Sequence, residues 1–316
     1  MARSRAYSLL ARLVGATPQS ARALAAASAD PGMRAAIASY ADPDQLAADH
    51  QHVLGFSCPP FESAMLDPDG QLGRETSDAL QRTLAATGVV SGPGGEEPDH
   101  LATQLYALAL LAGAEADALE DGELTIASGL RERARHLLDA HLLRWLPAYA
   151  SAVRRADRPW PSALLHTTLE VVLEHRSGLG PIDDDDAAFV LAPLALSLDE
   201  DATGLDDIAR VLARPARAGA LLSRDDAARL GRASATPRGF GDRATLFENL
   251  LRAGAQLGSL EHVVDSLISL LRSTQAELSD ERVRDIPPCL RDPWRTRVDE
   301  TCALLTRLRD ASRGAG

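Results

Sequence analysis

The sequence predicts an all-α protein, a multi-helix bundle followed by an additional C-terminal helical segment, and three observations carry that prediction. Apolar residues recur at helical spacing almost throughout, as in Leu101, Leu105, Leu108 and Leu119. Alternating, strand-like runs are nearly absent. Pro/Gly punctuation separates the periodic stretches. With 45% hydrophobic residues in 316, the chain has enough apolar surface to bury a substantial core.

Taken in order, helices are expected at about 4–14, 18–28, 43–54, 70–87, 98–120, 129–156, 160–176, 205–213, 224–231, 242–257, 259–277 and 294–311. The 98–120 helix starts at Pro98, and Asp99 beside it is a natural cap for the free N–H groups of a first turn. Pro147 should bend the 129–156 helix near the carbonyl of Leu143. Asp242 is expected to cap the helix carrying Leu246, Phe247, Leu250 and Leu251. Two breaks stand out: Ser91-Gly92-Pro93-Gly94-Gly95, and Gly178 to Asp186, which ends in Asp183, Asp184, Asp185 and Asp186. The expected organisation is a helical domain over 1–177, an acidic Gly/Pro linker over 178–204 and a helical extension over 205–316. No internal repeat of solenoid period is visible.

Composition narrows the function. No run of about 18 uninterrupted apolar residues occurs, so stable membrane insertion is not expected. Met1 to Leu13 breaks its apolar run at Arg12, unlike a secretory h-region, and a cytoplasmic location is expected. Cys58, Cys289 and Cys302 are odd in number and widely spaced, which argues for reduced thiols rather than a disulfide framework or a zinc site. The formal net charge of −12 disfavours nucleic acid and suits a cationic partner. All 33 basic residues are arginine; without lysine, Schiff-base chemistry and the Gly-Lys-Ser/Thr phosphate loop are excluded.

Candidate chemistry is weak. His50 and His52 lie about 200° apart around a helix, and His136 and His141 about 140°, so neither pair grips a metal; no metal or cofactor is expected. The run Leu194 to Thr203, with Asp199-Glu200-Asp201-Ala202-Thr203, resembles the Asp-x-Asp-x-Thr nucleophile motif of haloacid-dehalogenase-like phosphatases, but no strand presents Asp199. The same residues imitate a calcium loop, yet its twelfth position is Arg210. An acidic loop capping the next helix explains them more simply. Gly239-Phe240-Gly241-Asp242-Arg243-Ala244 has the letters of a dinucleotide fingerprint without the preceding strand. No Gly-x-Ser-x-Gly elbow occurs. The chain is therefore expected not to be an enzyme, with a phosphohydrolase using Asp199 and Asp201, or a helical scaffold without either activity, as the alternatives.

Three segments, read in order, resemble the TorD/DmsD (NarJ-like) family of redox-enzyme maturation chaperones: Cys58-Pro59-Pro60-Phe61-Glu62-Ser63, Pro98-Asp99-His100-Leu101, and His141-Leu142-Leu143-Arg144-Trp145-Leu146-Pro147-Ala148-Tyr149. Tyr7 to Ala11 resembles the family's first helix, and Leu105 to Leu111 followed by Glu115 its long apolar helix. Arg214 to Gly219, Leu222 to Asp225 and Gly239 to Arg243 look like the tail of its longer members. Where the family often has Leu-Phe before Pro-Pro, this chain has Val53-Leu54-Gly55-Phe56. The resemblance implies a cytoplasmic assembly chaperone that binds the twin-arginine signal peptide and the apo form of a molybdopterin-dependent oxidoreductase catalytic subunit while cofactor is inserted. It leaves a homodimer open. A receptor for two guanidiniums followed by an apolar run should offer carboxylates beside an apolar groove. Glu62 and Asp99 are the acidic candidates and Leu54, Phe56 and Phe61 the apolar wall. Pro59 and Pro60 rigidify the loop, while His100, His141 and Trp145 complete the expected binding surface.

Overall fold

The computed structural model describes residues 1–15, 30–89, 91–93, 95–181, 188–194, 196, 203–235, 240–279 and 286–314. Its named elements are all helical: α1 (Ala2–Gly15), α2 (Pro31–Ala38), α3 (Pro43–His50), α4 (Glu62–Leu66), α5 (Arg74–Ala85), α6 (Leu101–Glu120), α7 (Leu124–Leu137), α8 (Leu143–Arg155), α9 (Pro159–Ser177), α10 (Leu205–Leu212), α11 (Pro215–Ala218), α12 (Arg224–Ala233), α13 (Arg243–Gln256), α14 (Leu260–Glu277) and α15 (Pro288–Gly314). The all-α expectation is met. The expected helix at 18–28 lies outside the described residues.

Local chemistry sets the boundaries. α2, which the periodicity reading lacks, and α3, which starts at Pro43 as expected, both begin with an Asp-Pro pair. Asp30 accepts from Met33 N at 2.6 Å and Asp42 from Asp44 N at 2.9 Å, and the prolines sit where the missing N–H costs nothing. Asp242 caps α13 through Thr245 N at 2.8 Å, as expected. Ser223 and Asp226 form a reciprocal capping box on α12. Gly219 ends α11 in the left-handed region at φ 78°, and a Cβ there would meet the backbone N of Val298 at 2.5 Å, so only glycine lets α11 lie against α15.

The expected 129–156 helix is the largest departure. It starts at Leu124 and is interrupted by a π-helical turn over Leu138–Leu142 before α8. A second π turn, Gln51–Ser57, extends α3. In such a turn hydrogen bonds run i to i+5, which brings residues five apart round to one face. His136 and His141 therefore do not diverge: their rings meet edge to face with centroids 6.1 Å apart. Among the described residues no group of three or more His, Cys, Asp or Glu side chains is placed to hold a metal ion.

Helix α6 is apolar on nearly every side and lies at the centre of the first core, with α1 packed along it through small residues such as Ala102, Ala107 and Ala109. That core also takes in Trp145, Tyr149 and Trp160 from α8 and α9. It does not end with α9: Leu191, Ala216, Leu221, Leu278, Ile286, Leu290 and Trp294 belong to it too. A second core, built on Phe247, Leu251, Val263, Leu267 and Leu305, joins α10 and α12 to α15. Arg155 bridges the two: its guanidinium donates to Leu221 O at 2.6 Å and Thr274 Oγ1 at 2.9 Å, and its own carbonyl accepts from Arg229 at 2.6 Å. Trp294 Nε1 donates to Arg144 O at 2.6 Å. Among the described residues no helix is long and apolar enough to cross a membrane. The three cysteines are free.

Candidate functional site

Two extended segments meet at the centre of the motif set. Pro59 and Pro60 hold the first out of helical conformation, and Pro98 biases the residue before it in the same way. The segments pair through an antiparallel bridge between Phe61 and His100, with Leu101 N donating to Pro60 O at 2.8 Å and Glu62 N to Asp99 O at 3.0 Å. Each segment runs straight into a helix, so the N-termini of α4 and α6 lie side by side. His100, not Asp99, caps α6, its Nδ1 accepting from Ala102 N at 3.1 Å. Asp99 caps α4 from across the bridge, accepting from Ser63 N at 3.3 Å and from the Ser63 hydroxyl. This corrects the expectation that Asp99 caps its own helix: the bridge turns its side chain toward the neighbouring helix start.

Glu62 and His141 form the buried heart of the site, 2% and 6% exposed. His141 Nδ1 lies 3.0 Å from Glu62 Oε1, and Gln104 Nε2 donates to Glu62 Oε2 at 2.9 Å. On the far side of the ring, His141 Nε2 lies 3.0 Å from Thr83 Oγ1. Burial pushes the Glu62 carboxyl up, and the hydrogen bond and charge of His141 draw it back. When Glu62 is ionised it only accepts, and Nδ1 then carries the ring proton while Nε2 accepts from the Thr83 hydroxyl. Burial also pushes His100 down, which keeps its ring neutral and able to accept as a cap.

The 141–149 segment grips the same loop from behind. Trp145 and Tyr149 share one face of α8 with ring centroids 5.3 Å apart, and Tyr149 OH donates to Cys58 O at 2.8 Å. The rings of Phe61 and His100 meet edge to face at 4.9 Å. The three motifs thus form one contiguous structure. Of the sequence-predicted residues, Leu54, Pro60, Glu62, Asp99, His100, His141 and Trp145 are buried, Pro59 and Phe61 are half-buried, and Phe56 is 64% exposed. Glu62 and Asp99 do not stand beside an open groove: their oxygens are already taken by His141, Gln104 and the start of α4. Sequence reading missed Thr83, which sits on α5 away from the motifs, and Gln104, which lies on α6 one turn after His100, a spacing that could have flagged it.

An open groove does lie on the outer side of α8. It measures about 480 Å³ and has a floor of Pro147, Ala150, Leu169, Leu173 and Leu278. Glu170, Glu174 and Glu277 stand on its rim with Arg154 and His166. Arg154 pairs with Glu277, and His166 lies 3.2 Å from Glu170. Glu174 has no ion-pair partner among the described residues. Asp199 and Asp201, the residues of the phosphatase-like reading, lie outside the described residues. Arg210, the cation at the twelfth position of the calcium-loop reading, pairs with Asp206 and Asp207.

Comparison with known proteins meets this geometry. Residues 19–151 match the nitrate reductase delta subunit family. Over 86 residues, 27% of this chain, the sequence is 41% identical to the selenate reductase assembly chaperone protein of Thauera selenatis. That stretch takes in 42% of the relative, so the chain covers less than half of its length. No solved structure matches. The matched span contains all three motif segments that the bridge, the trans cap and the Glu62–His141 pair draw together. The likeness to the nitrate reductase delta subunit family thus covers the part of the chain in which the three motifs converge.

Proposed function

We propose that this protein is an assembly chaperone without turnover, which holds the apo form of a molybdopterin-dependent oxidoreductase in the cytoplasm while its cofactor is inserted. The matched family and the similarity to the selenate reductase assembly chaperone protein of Thauera selenatis support the general reading. The observation that carries the finer one is the groove on α8 and α9. Its apolar floor suits the hydrophobic run of a twin-arginine signal peptide, and Glu170 and Glu174, one turn apart on α9, are spaced to take its guanidiniums. The net charge of −12 favours approach of such a cationic segment.

The motif residues then divide their work. Phe56, Pro59 and Phe61 offer exposed or half-exposed apolar surface to the client. Glu62, Asp99, His100, His141 and Trp145 fix that surface and hold α8 in place. The chain would act as a 1–177 chaperone domain braced by the 205–316 extension. The test is calorimetric titration with a twin-arginine signal peptide and with the apo form of the molybdopterin-dependent oxidoreductase that carries it. Glu170→Arg with Glu174→Arg should weaken peptide binding at least about tenfold. Unchanged affinity would remove the groove from the site. Asp99→Arg is a poor probe, because a buried cap would be lost with it.

A further inference from the structure

A second cavity opens where the buried network reaches the surface. It measures about 510 Å³ and lies between α5 and α7, lined by Arg82, Thr83 and Thr87 on one side and Glu132, Arg133 and His136 on the other. Glu132 is engaged by Arg135 at 2.6 Å. Arg133 donates to the Ala86 carbonyl at 3.2 Å, which leaves its charge uncompensated, and Arg82 has no ion pair among the described residues. Two exposed guanidiniums therefore face one cavity from two helices, on a chain whose overall charge is −12.

We infer that this cavity is a binding site for a small phosphorylated ligand and that its occupancy is transmitted to the Glu62–His141 pair. Guanidiniums from separate helices bracket a tetrahedral anion better than a planar carboxylate, which one guanidinium satisfies alone. The volume falls in the range of small-molecule pockets and exceeds what a lone anion needs, while Ala79 and Ala86 give flat apolar lining for an organic body. Thr83 supplies the link. Its hydroxyl lies 3.0 Å from His141 Nε2 and, with the ring proton on Nδ1, gives that nitrogen its single proton. A phosphate oxygen that accepts that proton takes it from Nε2, and His141 must answer through the ring nitrogen bonded to Glu62. The signal enters the helix starts of α4 and α6 through Gln104, which touches both Glu62 and, at 3.5 Å, Asp99 O.

The experiment is titration of pyrophosphate into the full chain, followed by calorimetry and by the ring resonances of histidine in nitrogen-labelled protein, with acetate as the planar comparison. Saturable pyrophosphate binding is expected, stronger than acetate binding and weakened at least about tenfold by Arg82→Glu with Arg133→Glu. Both residues are exposed, so the fold should survive, and circular dichroism checks it. The His141 resonances should move with saturation in the wild type and stay still in Thr83→Val. Absence of saturable binding, or equal binding by the double variant, would overturn the site. Saturable binding with unmoved His141 resonances would overturn the link.

Discussion

At the scale of single residues, the protein buries polar groups and gives the central ones specific partners. Asp99 illustrates the economy: one carboxylate caps a helix that its own segment does not belong to. Asp99→Ala should cost about 1–2 kcal/mol of stability, whereas Asp99→Asn, which keeps an accepting oxygen, should cost less. Equal losses in chemical denaturation would show that the charge, not the cap, matters. Two buried histidines set the pH response. His50 accepts from Trp160 Nε1 at 3.2 Å, and burial pushes it down to about 4. His175 bonds the Tyr7 hydroxyl at 3.0 Å and is pushed down, by burial first and neighbouring arginines next, to about 3. Both fold neutral, so their stabilising contribution is complete above the ordinary histidine value of about 6.5 and is lost as pH falls toward these depressed values. Glu62, raised by burial, works in the opposite sense and gains its proton more readily in the fold. Unfolding free energy should therefore fall between pH 6.5 and 4 by up to about 1.4 kcal/mol per pH unit for each histidine. His50→Gln should flatten that slope; a wild-type stability constant from pH 7 to 5 would contradict it.

At the scale of elements, helical periodicity located the long helices, and Asp242 announced its own cap. The short helices α2, α4 and α11 were not legible, because five to eight residues carry too little periodicity; Asp30-Pro31 was the signal available for the first of them. The π turns were not legible either. Five-residue spacing on a regular helix separates His136 from His141, and nothing in the letters says that the ladder slips by one residue there. That slip aims His141 at Glu62. Deleting Ala140 should restore a regular ladder and remove the local underwinding that turns the His141 ring toward Glu62. The pair would break, leaving a buried carboxylate without its partner at a cost of about 3–5 kcal/mol. A deletion variant that melts with the wild type would show that the π turn serves no such aim.

At the scale of the whole molecule, the three motifs were legible as a set and their convergence was not. Glu62, Asp99 and His141 come from segments tens of residues apart, and only the fold shows that they spend their polar atoms on one another rather than on a solvent-facing groove. Thr83 completes that network without any spacing that could have flagged it, whereas Gln104 stands one turn after His100 on the helix the second motif starts. The C-terminal extension braces this part through Arg155, Trp294 and the apolar residues it lends to the first core. A fragment ending at Ser177 should therefore expose that core, unfold with reduced cooperativity and bind the hydrophobic dye ANS; a fragment that melts as sharply as the full chain would show the 1–177 unit to be self-sufficient.

The most direct test is isothermal titration of the full chain with a molybdopterin-dependent apo-oxidoreductase, with and without that enzyme's twin-arginine segment. Saturable binding that weakens when the segment is removed, and again when Glu170 and Glu174 are reversed to arginine, is the expected result. Absence of measurable affinity for either form of the enzyme would contradict the assembly-chaperone function.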